Sequence, residues 1–215
     1  MSMTSGKLNS KRFYICASSA IVSIVALSAI MLFFMSPTSI TSTLLHKNLH
    51  SLPTLEVGDI IFREGIGIES IVIQKLSKHN YTHIGLVIST KPIIILHATP
   101  DDNPKKPNQV ILSSFDEFLS RAQHIAVKRF SFSPTTRKQI ASQSILWLGK
   151  PFVLHTDPNA LYCTTLLERI LSPFVTLNLV YDTIDVPAFR GAYLFPKAFF
   201  EDTHSTLIYE SKTHL

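Results

Sequence analysis

The longest uncharged apolar stretch of the chain, residues 13–35, sets the first limit on how the chain can fold. A helix of about 20 apolar residues crosses the hydrocarbon core of a bilayer, and this stretch reaches that length without one charged side chain. It is longer than the apolar core of a signal peptide, which has about 7–15 residues, and no small-residue cleavage site follows it. We therefore predict a single transmembrane anchor, with a cleaved signal peptide as the alternative.

The charges on either side of this stretch predict its orientation. Three basic residues precede it: Lys7, Lys11 and Arg12. Residues 36–45, which follow it, carry no charge. Because the more basic flank of a span stays in the cytoplasm, we expect residues 1–12 to be cytoplasmic. The rest of the chain then lies outside the cytoplasm, on the periplasmic face of a bacterial inner membrane, and a cleaved signal peptide would give the same compartment.

The remaining sequence divides into a tether and one domain. Residues 36–54 are rich in Ser and Thr and predict a linker. Residues 55–215 alternate short apolar runs with turn residues, which predicts one domain of short strands and helices. We interpret Gly58 and Asp59 as structural turn residues.

The formal net charge of +5 suits an anionic surface, but no dense basic patch with interleaved aromatic residues is present, so we expect no nucleic-acid binding.

The two cysteines occupy different parts of the chain. Cys16 lies in the apolar stretch and Cys163 in the domain, so we predict no intrachain disulfide and a free thiol at Cys163. Cys163 stands at the predicted start of a helix, where the helix dipole and free N–H groups favour a thiolate. A nucleophile is one interpretation. The other is a small buried apolar residue that packs beside Leu166 and Ile170.

Two histidines lie on the strands of a predicted hairpin. If Ile88 pairs with Pro92, His83 lies directly opposite His97, with Cβ atoms about 4.5–5.5 Å apart. A shift of one residue would place them on opposite faces. Paired imidazoles suit a base and its orienting partner, although a single histidine is more often structural. They also suit a metal, but no carboxylate or third histidine stands at a suitable spacing, so we predict no metal and no cofactor.

Four segments of the domain carry a family resemblance: 57–62 (VGDIIF), 77–87 (SKHNYTHIGLV), 148–152 (LGKPF) and 161–167 (LYCTTLL). In this order they resemble the YiiX/YebB-like proteins, a circularly permuted branch of the NlpC-type, papain-like cysteine hydrolases. The resemblance covers about residues 55–200. It implies a permuted NlpC/papain-like α+β fold, in which a small antiparallel sheet bearing the histidine packs on the helix bearing the cysteine.

The resemblance also implies roles for individual residues. It makes Cys163 the nucleophile, His83 the general base and His97 the third polar residue, a position where the closest relatives often have Glu. We expect Tyr162 and Phe152 to line the substrate site, with simple packing as the alternative for Tyr162.

Two departures from the family pattern bear on activity. Phe152 stands where members often have Tyr, whose hydroxyl helps to stabilise the oxyanion in the unpermuted branch. Loss of one such donor lowers a rate by about 10²–10³. Thr164 and Thr165 replace the usual Ser-Glu after the cysteine.

The residues and the resemblance together predict a membrane-anchored, extracytoplasmic cysteine hydrolase that acts on peptidoglycan peptides or on acylated, lipid-like substrates. An acyltransferase or thioesterase of similar fold is one alternative. A catalytically inactive binding module is the other, and Phe152 and Thr165 favour it. The sequence names neither the scissile bond nor an oligomeric state.

Overall fold

The computed structural model of the chain describes residues 51–211. The predicted cytoplasmic segment, the anchor and most of the tether lie outside these residues, and those predictions stay untested. Within residues 51–211, none of the helices has the combination of length and hydropathy that a membrane span requires.

The described part of the chain forms eight strands: β1 Ile60–Gly65, β2 His83–Thr90, β3 Ile93–Thr99, β4 Gln109–Ser114, β5 Ala122–Arg129, β6 Asp182–Ile184, β7 Gly191–Tyr193 and β8 Thr206–Glu210. Six of them make one antiparallel sheet in the order β4-β3-β2-β1-β5-β8, and β6 pairs with β7 separately. The catalytic candidates on β2 and β3 therefore lie in the interior of the sheet.

Within residues 51–211, five α-helices accompany the sheet: α1 Ile68–Ser77, α2 Phe115–Leu119, α3 Pro134–Ser144, α4 Cys163–Leu171 and α5 Pro196–Glu201. The sequence predicts Ser114 and Ser133 as N-terminal helix caps, and both are confirmed. Ser114 and Glu117 form a capping box at α2, and the Ser133 hydroxyl accepts the Thr136 N–H at α3.

The sequence pattern predicts helices over residues 115–122 and 134–148, and both end earlier in the structure. The expected continuation of α2 to Ala122 is wrong, because the Ser120 hydroxyl donates to the Glu117 carbonyl and Ala122 begins β5. The expected continuation of α3 to Leu148 is also wrong. The Ser144 hydroxyl donates to the Ile140 carbonyl, a local bond that competes with helix propagation, and a 3₁₀ turn follows.

Both faces of the sheet are covered by apolar side chains. One face packs against α4 and α5, and its fully buried members include Ile60, Phe62, Ile84, Leu86 and Leu96. The other packs against α2 through Ile61, Val87, Ile95, Ile125 and Val127. On α4, Leu166 and Leu167 are fully buried and contribute about 1.5–3 kcal/mol each. The predicted α+β fold, with an antiparallel sheet packed on the Cys163 helix, is confirmed for these residues.

The register of the β2–β3 hairpin differs from the predicted one. Thr90 pairs with Ile93 across a two-residue turn, so the predicted pairing of Ile88 with Pro92 is wrong. A β-bulge at Ile88 then sets Leu86 opposite Leu96. Before the bulge, on the side of the two histidines, the predicted pairs are displaced by two residues. An even displacement keeps the side chains there on their predicted face.

This register makes Gly85 the residue opposite His97. A Cβ at Gly85 would overlap the Ile95 side chain and lie 3.1 Å from the Phe118 ring. Because Gly85 has no side chain, the rings of His83 and His97 can meet diagonally in front of it.

Asp59 and Gly58 are structural, as predicted. The buried Asp59 carboxylate accepts hydrogen bonds from the Arg129 guanidinium at 2.8 and 2.7 Å and from the Glu56 N–H at 2.7 Å. Gly58 adopts a φ of +93°, a conformation that side-chain-bearing residues disfavour. Neither residue lines the cavity described below.

Candidate active site

A cavity of about 220 Å³ lies at the N-terminal end of α4. Cys163, His83, Tyr162 and Phe152 all line it. The structure therefore brings four of the five predicted site residues to one cavity. His97 does not line it; this residue lies behind His83 and is fully buried.

Cys163 is the first residue of α4, as predicted, and its free thiol is buried. Burial raises the pKa of the thiol to about 11, while the N–H groups of Ile84 and Thr164 lower it less. The expectation that the helix N-terminus would favour a thiolate is therefore wrong for this conformation, because the loss of hydration outweighs the helix dipole. At neutral pH the sulfur carries its proton.

His83 and His97 form a hydrogen-bonded pair. His83 Nε2 lies 2.9 Å from His97 Nδ1, and His97 Nε2 lies 3.0 Å from the Ser113 hydroxyl. A neutral imidazole has one N–H and one acceptor nitrogen. If His83 donates to His97 and His97 donates to Ser113, then His83 Nδ1 is left as a base. In the described part of the chain, no hydrogen bond joins His83 to Cys163.

An ion pair lies beside the two histidines, and both of its residues, Arg63 and Asp102, line the cavity. Arg63 donates to both carboxylate oxygens of Asp102, at 2.6 and 2.8 Å, and Asp102 Oδ2 lies 3.7 Å from His97 Nδ1. The Arg63 guanidinium stacks 4.8 Å above the Phe118 ring, which also contacts both imidazoles. Burial alone would raise the pKa of Asp102, but the bonds and charge of Arg63 hold it well below its usual range.

Sequence reasoning missed Arg63, Asp102, Ser113 and Phe118. Arg63 did leave a signal, because a charged residue directly after the apolar run 60–62 is unusual in a buried strand. Asp102 left none, since it stands in a polar loop whose path only the tertiary structure defines.

Both imidazoles are neutral at physiological pH. Burial first, and then the positive charge of Arg63, lower the pKa of His97 to about 3. The same two causes hold the pKa of His83 well below 6.5. Without substrate, therefore, the Cys163 thiol and the His83 imidazole are both neutral.

The buried, neutral histidines predict that the free energy of unfolding decreases in acid. Below pH 6.5 the unfolded chain protonates His97, whereas the folded chain does not until about pH 3. The neutral His97 therefore does not lower the free energy of unfolding above pH 6.5. Below pH 6.5 the free energy of unfolding falls by up to roughly 1.4 kcal/mol per pH unit. We expect His97→Gln to flatten the slope of unfolding free energy between pH 7 and 4.5, measured by urea denaturation. Equal slopes for the two proteins would contradict this.

His83, His97 and Asp102 are also candidate ligands for a metal ion. Ligand atoms of His83, His97 and Asp102 lie within 4.8 Å of one another, so the sequence-based argument that no carboxylate stands nearby is wrong. Both Asp102 oxygens, however, are bound by Arg63. The imidazole nitrogens are 2.9 Å apart, closer than the roughly 3.3 Å between two nitrogen ligands of one tetrahedral zinc. The residues as arranged fit a hydrogen-bond relay and not a metal centre.

The two aromatic residues of the site differ in what they offer. The Tyr162 hydroxyl accepts the Leu194 N–H at 3.0 Å, and burial raises the pKa of Tyr162 to about 12. Its proton has no acceptor within residues 51–211, so it remains available to a ligand. Phe152 offers only an apolar surface.

Comparison with known proteins assigns the chain to a family. A family model described as permuted papain-like amidase enzyme, YaeF/YiiX, C92 family, matches residues 54–185. No curated protein matches the chain. By structure the chain is similar to the metalloprotein yiiX from Escherichia coli O157:H7, with a TM-score of 0.63 and 16% sequence identity over 74% of this chain and 99% of that one. The match covers more than half of the chain, and the chain therefore belongs to the permuted papain-like amidases of the YaeF/YiiX family.

Proposed function

We propose that this chain is a membrane-anchored cysteine hydrolase that acts outside the cytoplasm on an acyl bond of a cell-wall peptide or an acylated substrate. One observation carries the proposal. His83 Nε2 is held by His97 at 2.9 Å, which leaves His83 Nδ1 for the cavity that Cys163 also lines. Family membership supports a hydrolase of the cysteine peptidase or amidase kind.

The neutral resting state suits a reaction in which proton transfer and attack occur together. His83 Nδ1 removes the thiol proton as Cys163 Sγ attacks the substrate carbonyl carbon. The Cys163 N–H, which has no partner within its helix, and the Tyr162 hydroxyl are the donors near the developing oxyanion. The imidazolium returns its proton to the leaving group. A water molecule, deprotonated by His83, then releases the acyl group from sulfur as an acid.

The membrane part of the proposal rests on the sequence. Residues 13–35 have the length and composition that a membrane span needs, and residues 36–54 are predicted to be a linker. A chain of this length has a root-mean-square span of about 25 Å. The catalytic domain would therefore stay close to the bilayer surface and to substrates held there.

The test is formation of an acyl-enzyme. The full-length protein in detergent is mixed with p-nitrophenyl acyl esters, and intact and peptide mass spectrometry follow the adduct. We expect one acyl group on Cys163, none in Cys163→Ala, and an unchanged yield in Cys16→Ala. An adduct that persists in Cys163→Ala, or no adduct with any ester, would overturn the proposal.

A binding module without catalysis is the second candidate, and the raised pKa of the Cys163 thiol favours it. Such a module would bind its ligand equally well in wild-type and Cys163→Ala proteins, without turnover. An acyltransferase or thioesterase would form the same adduct as the hydrolase. Adding an amine or hydroxyl acceptor separates these reactions, because only a transferase would divert the acyl group from water.

A further inference from the structure

Helix α1 is oriented opposite to the usual surface helix. Its two buried residues are Ser70 and Ser77, whereas Ile68 is 82% and Ile71 51% exposed. A surface helix normally turns its apolar stripe toward the core and its polar residues toward water. Two isoleucines one turn apart therefore present an apolar face outward.

Polar contacts fix this orientation. The Ser70 hydroxyl accepts a hydrogen bond from the Thr82 hydroxyl at 3.1 Å, and Thr82 accepts one from the Gly65 N–H at 3.1 Å. A Cβ at Gly65 would overlap Ser70, so the helix approaches the sheet closely at this point. The Gln74 side-chain amide adds a bond to Glu64 at 2.9 Å. Rotation that buried the isoleucines would break these bonds, so their exposure is built into the fold.

The same helix forms one wall of the catalytic cavity. Three of its apolar residues, Val72, Ile73 and Leu76, line that wall. Leu154 lines the cavity as well, yet it is also exposed at the protein surface. Exposed Ile66 stands just before α1. Apolar side chains thus extend from beside Cys163 to the outer surface of the helix.

We propose that the outer face of α1, formed by Ile66, Ile68 and Ile71, docks on the bilayer surface, and that the cavity takes an apolar acyl chain from it. The inference rests on the proposed function, which it deepens by naming the substrate class and the surface that delivers it. Two basic residues, Lys75 at the end of α1 and the following Lys78, are exposed, against one exposed acidic residue of the helix, Glu69. An apolar face combined with basic residues is typical of helices that lie in anionic membrane interfaces.

Fluorescence quenching tests the docking without relying on chemistry at Cys163. Ile71→Trp is placed in full-length protein that carries Trp147→Phe, in vesicles of phosphatidylethanolamine and phosphatidylglycerol with brominated acyl chains. We expect quenching at position 71. The matched control is Leu207→Trp, at an exposed position of edge strand β8, where we expect none. Equal quenching at both positions, or cross-linking of position 71 to residues 13–35 or to a second copy without quenching, would overturn the proposal.

Alkylation of Cys163 tests delivery of the acyl chain. N-hexadecyl iodoacetamide is presented in the same vesicles, iodoacetamide is presented in water, and peptide mass spectrometry reads the label at Cys163. We expect Ile68→Glu with Ile71→Glu to lower the ratio of the first rate to the second by about tenfold or more, since a tenfold change needs only ~1.4 kcal/mol. The matched Leu207→Glu variant should leave the ratio unchanged.

The two measurements separate the possible failures. A ratio unaffected by the double substitution would refute acyl delivery from the bilayer. A thiol that reacts with neither reagent would count against the proposed hydrolase, while quenching at position 71 would still report whether α1 contacts lipid.

Discussion

Replacement of His83 by alanine is expected to lower the rate of Cys163 acylation by about 10²–10⁴, the usual contribution of a positioned general base. The structure makes the dependence strong because the pKa of the thiol is about 11. Without a base, only a small thiolate fraction would attack at neutral pH. The rate of p-nitrophenolate release in the first turnover, measured by stopped flow, gives this effect directly.

Two further measurements identify the role of His83. His97→Ala should lower the same rate by less, because it leaves His83 Nδ1 in place and removes only the acceptor that orients the ring. Since the pKa of His83 lies well below 6.5, the wild-type base stays neutral and active on the acidic side of that pH. An acylation rate that is unchanged in His83→Ala, or one that is lost with an apparent pKa of 6.5 or above, would contradict the assignment.

Replacement of Arg63 by methionine is expected to destabilise the fold by about 3–5 kcal/mol, the range found when one partner of a buried ion pair is removed. The Arg63 and Asp102 side chains are only 7% and 8% exposed, so water screens the remaining carboxylate poorly. Urea denaturation at pH 7 measures the change as a lower midpoint.

Two controls separate charge from packing in this experiment. Arg190→Met removes the Arg190–Asp185 pair, whose side chains are 73% and 84% exposed, and such a surface pair contributes about 0–1 kcal/mol. The double variant Arg63→Met with Asp102→Asn should recover part of the loss, because no buried carboxylate is left without a counter-charge. Equal effects of Arg63→Met and Arg190→Met would argue against a buried ion pair.

Local patterns in the sequence were enough to locate the central residues. The turn and strand signals around the hairpin put His83 and His97 on neighbouring strands, on one face for one loop length and on opposite faces for another. The pattern after Tyr162 put Cys163 in the first turn of a helix. The predicted hairpin register was wrong, but the displacement was even and the face was kept. A bulge such as that at Ile88 depends on contacts across the sheet, which a single strand does not encode.

Long-range features of the site were beyond the sequence. Asp102 reaches the histidines through a loop, and its partner Arg63 comes from a different strand. The charge state of Cys163 depends on how completely the fold excludes water. The net shift of its pKa is therefore upward, opposite to the shift that the helix dipole alone would give. The outward isoleucines of α1 also contradict the ordinary meaning of an apolar helical stripe, because serine contacts with the sheet decide which side faces in.

The position of β8 at one edge of the sheet has a consequence for biosynthesis. Residues 206–210 pair with β5, yet three helices, α3, α4 and α5, and the strands β6 and β7 lie between the two partners in the sequence. Until residues 206–210 have been synthesised, β5 keeps an open row of backbone donors and acceptors, which is the feature that promotes pairing between nascent chains. The β5 edge is therefore exposed for as long as the ribosome takes to make all of the intervening elements.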